Sequence, residues 1–482
     1  MGFATGGSFP ASITPMPNKV TVQDNYIDFN NLANGQWAQQ YLPELYEQEV
    51  ERYGNRTLSG FLRMVGAEMP MTSDQVIWSE QNRLHIAYDT VQIAVNGADP
   101  NYTVTITLPA GQDTGAVRVG NTILVSDNAT GLVTAKLLVI AVTGATSNSL
   151  TCTSYEGTAL PGSLITGAAT SSLFVYGSEF PKGSNGMTGA IEPKLSTFNN
   201  SPIIMKDNYE LSGSDVAQIG WIEVATEDGT SGFMWYLKSE SETRLRFEDY
   251  MEMAMVESKL MASTAAFGAQ FAPAGASQNI KGSQGLFAAI EARGNVYSGF
   301  AGAAAPGSGA LGDFDEILKN LDKQGAIEEN MLFLSRSTAL DFDDMIAAMN
   351  GAYASTAAAS YGLFDNEADM ALNFGFSGFR RGSYDFYKTD WKYLNDATTR
   401  GLDKEIDGVL VPAGTSTVYD QMLGANIRRP FLHVRYRASE TEDRRFKSWI
   451  TGSVGGAYTS DLDTMRVNFL TERCLVTQAA NN

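Results

Sequence analysis

Between residues 75 and 180, apolar and polar residues alternate along the chain, which is the spacing of strands that have one buried and one solvated face. Short turn clusters such as 109–111 and 144–147 separate the alternating segments, which read YTVTITL, AVRVGNTILVSD, LVTAKLLVIAV, SLTCTSY and SLFVYG. Closely spaced short strands of this kind are typical of an antiparallel sandwich or barrel. We therefore predict an all-β insertion over residues 100–180, with polar flanks that let it protrude.

From residue 231 to residue 268 the apolar period becomes that of a helix. The stretch contains no proline, and no glycine lies between Gly232 and Gly268. We predict one long helix over 233–267, which lies across a sheet through its apolar side. Two acidic-first pairs, one helical turn apart, are predicted to form solvated ion pairs: Glu240 with Arg244 and Glu242 with Arg246.

The remaining chain mixes both periods, so the predicted fold class is α+β. Residues 1–30 are rich in Gly, Pro, Ser and Thr and predict an extended arm, whose ordering costs about 1–2 kcal/mol of backbone entropy per residue. Such an arm needs contacts from outside its own domain. Residues 36–64 show helical spacing, the Gly/Ala-rich stretch 298–313 predicts a loop, and helical and strand segments alternate after it.

Composition narrows the classes of function. The chain has 482 residues, a length at which we predict two or more compact units. It has 34 basic and 54 acidic residues, and the resulting net charge of -20 repels a phosphate backbone. Only non-specific proximity to nucleic acid is expected. Its two cysteines, Cys152 and Cys474, are predicted to be buried rather than to form a disulfide framework. Residues 1–7 lack the features of a secretory signal, and the longest apolar stretch, 132–142, is too short for a membrane helix.

A search for reactive groups predicts neither an enzyme nor a cofactor. The two histidines, His85 and His433, lie in alternating segments and are predicted to be strand residues, and no GxSxG, HExxH, CxxC or phosphate-loop motif is present. Two acidic groups, 313–316 and 341–344, are explained by helix capping better than by a metal site. Paired carboxylates for glycoside hydrolysis stay possible in so acidic a chain.

Some side chains are candidates for contacts between subunits. The basic pairs of this acidic chain can form salt bridges to neighbouring subunits or can be ordinary surface charge, and aromatic residues near the arm can anchor an interface or form a local core. For the aromatic residues, the cost of ordering the arm favours an interface. The predicted interface residues are Tyr26, Trp37, Tyr41, Tyr46, Arg244, Arg246, Arg380, Arg381, Arg428 and Arg429; Arg444 and Arg445 form a further basic pair.

This order of parts resembles the major capsid proteins of tailed double-stranded DNA phages with the Hong Kong 97-type fold. The parts that carry the resemblance are the arm, the β excursion, the long helix, the segment GLFAAIEARGN at 285–295, the α/β unit and the returning strands. Residues 329–349 and the tail from RYRASETEDRRFKSW onward look similar to capsid proteins of crAss-like phages.

The resemblance implies the following parts: an N-terminal arm and helix over 1–70, the ascending strand of an E-loop over 71–99, the inserted β domain over 100–180, an E-loop return with peripheral-domain strands over 181–230, the spine helix and its connection over 231–295, an axial domain over 296–425 and closing peripheral strands over 426–482. The all-β insertion departs from the minimal family pattern.

The function that the resemblance implies is a shell of hexamers and pentamers that forms an icosahedral head around DNA. It implies portal, auxiliary or decoration proteins as partners, no membrane, and a virion location after assembly in the host cytoplasm. An encapsulin-type compartment shell is the alternative, and a β-rich carbohydrate-active hydrolase is a more distant one.

Overall fold

The computed structural model describes residues 68–80, 85–97, 100–165, 168–191, 197–218, 223–225, 231–261, 281–298, 310–324, 327–342, 377–396, 398–402, 406–420, 425–456 and 458–481. The chain divides into two compact units. One unit is Trp78–Phe198, and the other combines Met1–Ile77 with Asn199–Asn482. We call the first the barrel unit and the second the two-sheet unit.

The strands, in chain order, are β1 (Glu68–Met71), β2 (Val76–Ser79), β3 (Ala87–Val95), β4 (Asn101–Ile106), β5 (Asn121–Asp127), β6 (Thr134–Thr143), β7 (Ser149–Ser154), β8 (Ser171–Ser178), β9 (Thr197–Asn200), β10 (Ile203–Ser212), β11 (Glu223–Ala225), β12 (Ser231–Phe233), β13 (Glu329–Leu334), β14 (Ser377–Arg381), β15 (Tyr384–Asp390), β16 (Gly408–Pro412), β17 (Thr415–Asp420), β18 (Ala425–Pro430), β19 (Leu432–Arg437), β20 (Lys447–Gly452) and β21 (Thr464–Thr477). The helices are α1 (Gly213–Gln218), α2 (Met234–Glu257), α3 (Leu286–Arg293) and α4 (Ala310–Gln324), and residues 336–342 are also helical. The predicted mixture of helices and strands is present, and strands outnumber helices among the described residues.

The barrel unit is a closed barrel of six strands in the order β3-β4-β7-β6-β5-β8. Inward side chains at alternate positions, such as Ile93, Val104, Ile123 and Leu150, are fully buried and fill it. This alternation follows from the pleat of a strand, which sends successive side chains to opposite faces. The barrel begins with β3, ahead of the predicted boundary at residue 100. β3 closes the ring because it pairs with both β4 and β8.

Two buried tyrosines tie loops to the barrel wall. The hydroxyl of Tyr88 accepts hydrogen bonds from the amide of Ala116 at 2.9 Å and from the side-chain amide of Gln112 at 2.8 Å. The hydroxyl of Tyr102 accepts one from the amide of Leu160 at 2.9 Å. A buried hydroxyl needs such partners, since an unpaired one costs about 1–3 kcal/mol.

The first sheet of the two-sheet unit is built from distant parts of the chain. β21 pairs with β10 along one edge and with β19 and β20 along the other, and β1 adds a parallel strand outside β19. Helix α2 packs on this sheet through Phe247 and Met251, which meet Val467 and Phe469. A long helix with one apolar stripe buries that stripe in this way.

Helix α2 ends at Glu257, short of the predicted end at residue 267. Contacts with residues 281–285 explain the stop, because the amide of Gly285 donates to the carbonyl of Ser258 at 2.7 Å and the amide of Met261 donates to the carbonyl of Lys281 at 3.0 Å. Residues 258–261 therefore pair with residues 281–285 and leave the helical path. No proline or glycine marks this stop in the sequence.

The second sheet has the order β14-β15-β13-β16, with β13 and β15 parallel. Helix α4 packs on it through Phe314 and Leu321, which join Phe342 and Phe386 in one cluster. β17 and β18 form a separate hairpin, and β2 with β9 and β11 with β12 form two-stranded ribbons. Among the described residues, no helix is long and apolar enough to span a membrane.

Candidate functional site

The centre of the two-sheet unit is a shared core in which the end of α2, helix α3 and both sheets meet. It contains Met255 of α2, Leu286 of α3, Phe333 of β13 and Leu475 of β21, with Trp391 between them. Because residues of both sheets pack in one cluster, this core couples the two sheets mechanically. The core thereby fixes the end of α2 and helix α3 against both sheets.

Glycine is required where α2 and α3 meet. A Cβ atom at Gly285 would lie 2.7 Å from the carbonyl oxygen of Val256 and 2.8 Å from the amide nitrogen of Ser258, which is closer than real Cβ contacts. The segment 285–295, which carries part of the resemblance to capsid proteins, therefore begins with a residue that allows two backbone segments to touch.

A cluster of polar groups holds the last residue of α2. The carboxylate of Glu257 accepts hydrogen bonds from Nε and Nη2 of Arg400 at 2.7 and 2.8 Å and from the hydroxyl of Tyr393 at 2.5 Å. Burial alone would raise the pKa of Glu257, but the bonds from Arg400 and Tyr393 lower it below its usual value. Burial, together with the bond to Glu257, also raises the pKa of Tyr393. No local sequence pattern links these three positions.

A buried asparagine ties the strand that returns from the barrel unit to the rest of this unit. Asn200 is 1% exposed, and its side chain donates to the carbonyls of Gln284 and Leu475 at 2.9 and 2.6 Å. Its oxygen accepts from the amide of Gln284 at 2.8 Å. Sequence reasoning missed this residue, because Asn-Asn-Ser-Pro at 199–202 reads as an ordinary turn.

The two predicted interface arginines of α2 make contacts within the chain. Arg246 forms an ion pair with Asp207 of β10 at 3.2 Å, and Arg244 pairs with Glu248 at 3.4 Å. The guanidinium of Arg244 also lies over the ring of Phe446, 5.5 Å from its centre. The contacts with Asp207 and Phe446 hold the helix on the sheet, and a role of either arginine between subunits stays a prediction.

The basic pair at the edge strand β14 also finds partners within the chain. Arg381 forms two hydrogen bonds to the carboxylate of Asp315 on α4, at 2.5 and 2.7 Å, and Arg380 lies 3.4 Å from Asp385. Paired bonds from one guanidinium fix both position and orientation. Asp315 belongs to the acidic group at 313–316, so part of that group fastens α4 to the sheet.

The two remaining basic pairs differ from each other. Arg444 pairs with Glu472 at 3.0 Å, and Arg445 pairs with Glu68, so both reach neighbouring strands of the first sheet. On β18, Arg428 is exposed and Arg429 is half-buried, and neither forms an ion pair with another described residue. The predicted aromatic interface residues Tyr26, Trp37, Tyr41 and Tyr46 lie outside the described residues.

Within the described part of the chain, the histidines and cysteines are not grouped with other side chains as a catalytic or metal site would require. His433 lies in a strand, β19, as predicted, and its side chain is buried. Burial, followed by the charge of Arg435, lowers its pKa to about 4. The prediction for His85 is wrong, since it is exposed and precedes β3. Both cysteines are buried as predicted, and burial raises the pKa of each thiol to about 12. Among the described residues, no three acidic, His or Cys side chains are grouped to hold a metal.

Exposed apolar side chains collect at the tip of the β20–β21 hairpin. Tyr458 is 86% exposed and Leu462 is 57% exposed, in the turn between the two strands. Gly455 and Gly456, both with positive φ, form the turn before them. Large apolar side chains displayed on an exposed loop favour contact with another surface. The pair of glycines two positions before a tyrosine is the sequence signal that could have found this tip.

Comparisons with known proteins give structural likenesses only. No protein-family model and no curated protein matches the chain. The capsid structure of the cyanophage P-SCSP1u is similar over 94% of this chain and 96% of its own, with 8% identity and a TM-score of 0.33. A chain of the Microbacterium phage Oxtober96 covers 92% of both chains, with 9% identity and a TM-score of 0.33. The capsid of a native GTA particle is similar over 92% of this chain and 93% of its own, with 9% identity and a TM-score of 0.31. At these identities and TM-scores we draw the function from this chain's own residues.

Proposed function

We propose that this chain is a shell-forming major capsid protein with the Hong Kong 97-type fold, and that copies of it build the head of a tailed double-stranded DNA phage. The observation that carries the proposal is the first sheet of the two-sheet unit. This sheet joins β1, β10, β19, β20 and β21, which come from distant parts of the chain. The 24-residue helix α2 packs across it. The same order of parts carries the resemblance to capsid proteins.

The parts of the family then map onto the chain. The first sheet with α2 as spine helix is the peripheral domain, the second sheet with α4 belongs to the axial domain, and the barrel unit is carried by the E-loop. The shared core of Met255, Leu286 and Phe333 supports this, because it keeps the two sheets in one rigid building block. Hexamers and pentamers of an icosahedral head, portal and decoration partners, and virion location after cytoplasmic assembly complete the proposal. The likeness to crAss-like phages stays a prediction.

The acidic composition of the chain also supports a container for DNA. A net charge of -20 repels a phosphate backbone, so a shell of this chain holds DNA without gripping it. We expect only non-specific proximity to the packaged genome.

Electron microscopy of the purified full chain tests the proposal. Closed polyhedral particles are expected, and a chain that stays monomeric in every ionic condition and at every concentration would contradict it. Particles that enclose cargo protein and no genome when isolated from their native source would favour the encapsulin-type shell instead. Glycan cleavage that disappears on mutation of a close carboxylate pair would favour the hydrolase.

A charge reversal tests the predicted interface on β18. The variant Arg428→Glu is expected to lower the yield of particles while leaving the fold intact, as judged by circular dichroism. The matched control is Lys319→Glu, a reversal at an exposed lysine of α4 that was not predicted to lie at an interface. Equal yields from both variants would remove Arg428 from the interface and leave the shell itself to the microscopy.

A further inference from the structure

One outer face of the barrel carries large apolar side chains in register. Phe174 of β8 lies opposite Leu124 of β5, and Leu124 lies opposite Lys136 of β6. The carbonyl of Lys136 accepts the amide of Tyr155 at 3.2 Å, so Tyr155 continues the same row. Because neighbouring strands are about 4.8 Å apart, these side chains form a continuous surface. We call it the aromatic face; it consists of Leu124, Leu138, Ile140, Tyr155, Phe174 and Tyr176.

These side chains do not belong to the core of the barrel. The interior is filled by their neighbours in sequence, such as Ile123, Leu137 and Leu173, which are at most 1% exposed. On the outside, Ile140, Tyr155, Phe174 and Tyr176 are 50%, 46%, 45% and 48% exposed. With roughly 150–250 Å² per aromatic side chain, the bare apolar area is on the order of 400 Å². A contiguous patch of that size marks an interaction surface.

One ring of the aromatic face, that of Tyr155, is held in place by a hydrogen bond within the chain. The hydroxyl of Tyr155 donates to the carboxylate of Glu179 at 2.5 Å, which fixes the ring across the strands. Burial, and after it this bond and the nearby Tyr176, raise the pKa of Tyr155 to about 12, so its hydroxyl stays a donor near neutral pH. Rigid aromatic anchors lose little entropy on binding.

Area and charge favour a second copy of this chain as the occupant. One side of a specific protein interface buries about 800 Å², of which about 56–65% is apolar, and the aromatic face supplies most of that apolar share. A single sugar ring would leave most of it bare. Lys136 within the row and Glu179 at its rim carry opposite charges, so the face can be complementary to the same face of a second copy.

We propose that the aromatic face is a self-association surface, on which the barrel of a second copy docks with two-fold symmetry and Lys136 of each copy faces Glu179 of the other. The inference rests on the proposed shell function, which supplies the copies at high local concentration. It adds a contact that is made by the barrel unit alone.

Cysteine cross-linking of the full chain tests the contact. The chain has only two cysteines, both buried and with raised pKa values, so an added surface thiol is the reactive one. Tyr176→Cys places a thiol on the aromatic face, and Leu132→Cys is the matched control on the turn between β5 and β6, where the side chain is 86% exposed. With a short bis-maleimide we expect linked dimers from Tyr176→Cys, at least about ten-fold more than from Leu132→Cys.

The outcomes separate this inference from the proposed function, because particles are scored by microscopy in the same samples. Particles without dimers from Tyr176→Cys, or with equal linkage at both positions, overturn the contact and leave the shell standing. Dimers without particles support the contact and count against the shell. A Tyr176→Cys thiol that is shielded only when another virion protein is added also overturns self-association, because that protein is then the occupant.

Charge reversals test the two-fold arrangement. Lys136→Glu in the Tyr176→Cys background is expected to lower linkage by about five-fold, which is the range for two symmetry-related exposed ion pairs. Adding Glu179→Lys restores the opposite signs and should recover linkage, although it removes the bond to Tyr155. The neutral variant Glu179→Gln, in the same Lys136→Glu background, is the control for the lost bond to Tyr155. If Glu179→Lys recovers no more linkage than Glu179→Gln does, the proposed pairing is contradicted.

Discussion

Replacing Glu257 by glutamine tests whether charge holds the end of α2. The carboxylate receives two bonds from Arg400 and one from Tyr393, and glutamine keeps the size and one acceptor oxygen while losing the charge. Hydrogen bonds to charged groups contribute about 1.5–3 kcal/mol each. The side chains of Arg400 and Glu257 are 26% and 31% exposed, so solvent screens part of this. We expect Glu257→Gln to lower the free energy of unfolding by about 2 kcal/mol at neutral pH.

The pH dependence of that loss gives the prediction its sign. The folded-state pKa of Glu257 lies below the ordinary value of 4.5 because the bonds from Arg400 and Tyr393 outweigh the effect of burial. A carboxylate with a lowered pKa stabilises the fold fully above its unfolded-state pKa, and this contribution is lost as pH falls through the folded-state pKa. The difference between the native chain and Glu257→Gln should therefore shrink in acid.

Urea unfolding followed by tryptophan fluorescence, at about pH 7 and about pH 3.5, measures the difference. The variant Arg400→Met and its combination with Glu257→Gln complete a double-mutant cycle, in which the two changes should be far from additive. A difference that stays constant or grows in acid refutes the reasoning, and so does an additive cycle, since either result means that the charge of Glu257 does not stabilise the end of α2.

Three further predictions concern packing and reactivity. Phe247→Ala should lower the free energy of unfolding by about 3–5 kcal/mol in the same urea assay, because the ring is 1% exposed under α2, whereas the exposed neighbour change Leu245→Ala should cost less than about 0.5 kcal/mol. Gly285→Ala should destabilise by more than about 1 kcal/mol, since its Cβ meets backbone atoms that cannot move separately, and a near-neutral result would refute the close approach. Cys152 and Cys474 should fail to react with an aromatic disulfide reagent in the native chain at about pH 8 and should both react in urea; rapid native reaction of either thiol contradicts its burial.

Some of the fold can be predicted from the sequence because its cause is local. Alternation of apolar residues marks β4 to β8, since a strand in a closed barrel buries every second side chain. The period of a helix marks α2 for the same kind of reason. The burial of Cys152 follows from its place in the alternating segment SLTCTS, where its neighbours Thr151 and Thr153 point outward.

Other features escaped prediction because their causes are distant in sequence. The stop of α2 at Glu257 depends on residues 281–285, and the cluster that holds it comes from Tyr393 and Arg400, more than a hundred positions away. Likewise, Arg381 is visible in the sequence as part of a basic pair, but its pairing with Asp315 on α4 is not. An interface predicted from charge alone cannot distinguish a side chain that serves its own fold from one that awaits a neighbour.

The first sheet joins strands so far apart in sequence that its completion depends on the last of them. β21 is the central strand, and β10, β19 and β20 all pair with it, so a chain that stops before residue 464 keeps α2 but loses the surface on which α2 packs. The barrel, by contrast, closes with residues 87–178 alone. Because pairing between distant segments is slow, the barrel should form well before this sheet. Until β21 is in place, Phe247 and Met251 of α2 lack Val467 and Phe469, the residues of the first sheet on which they pack.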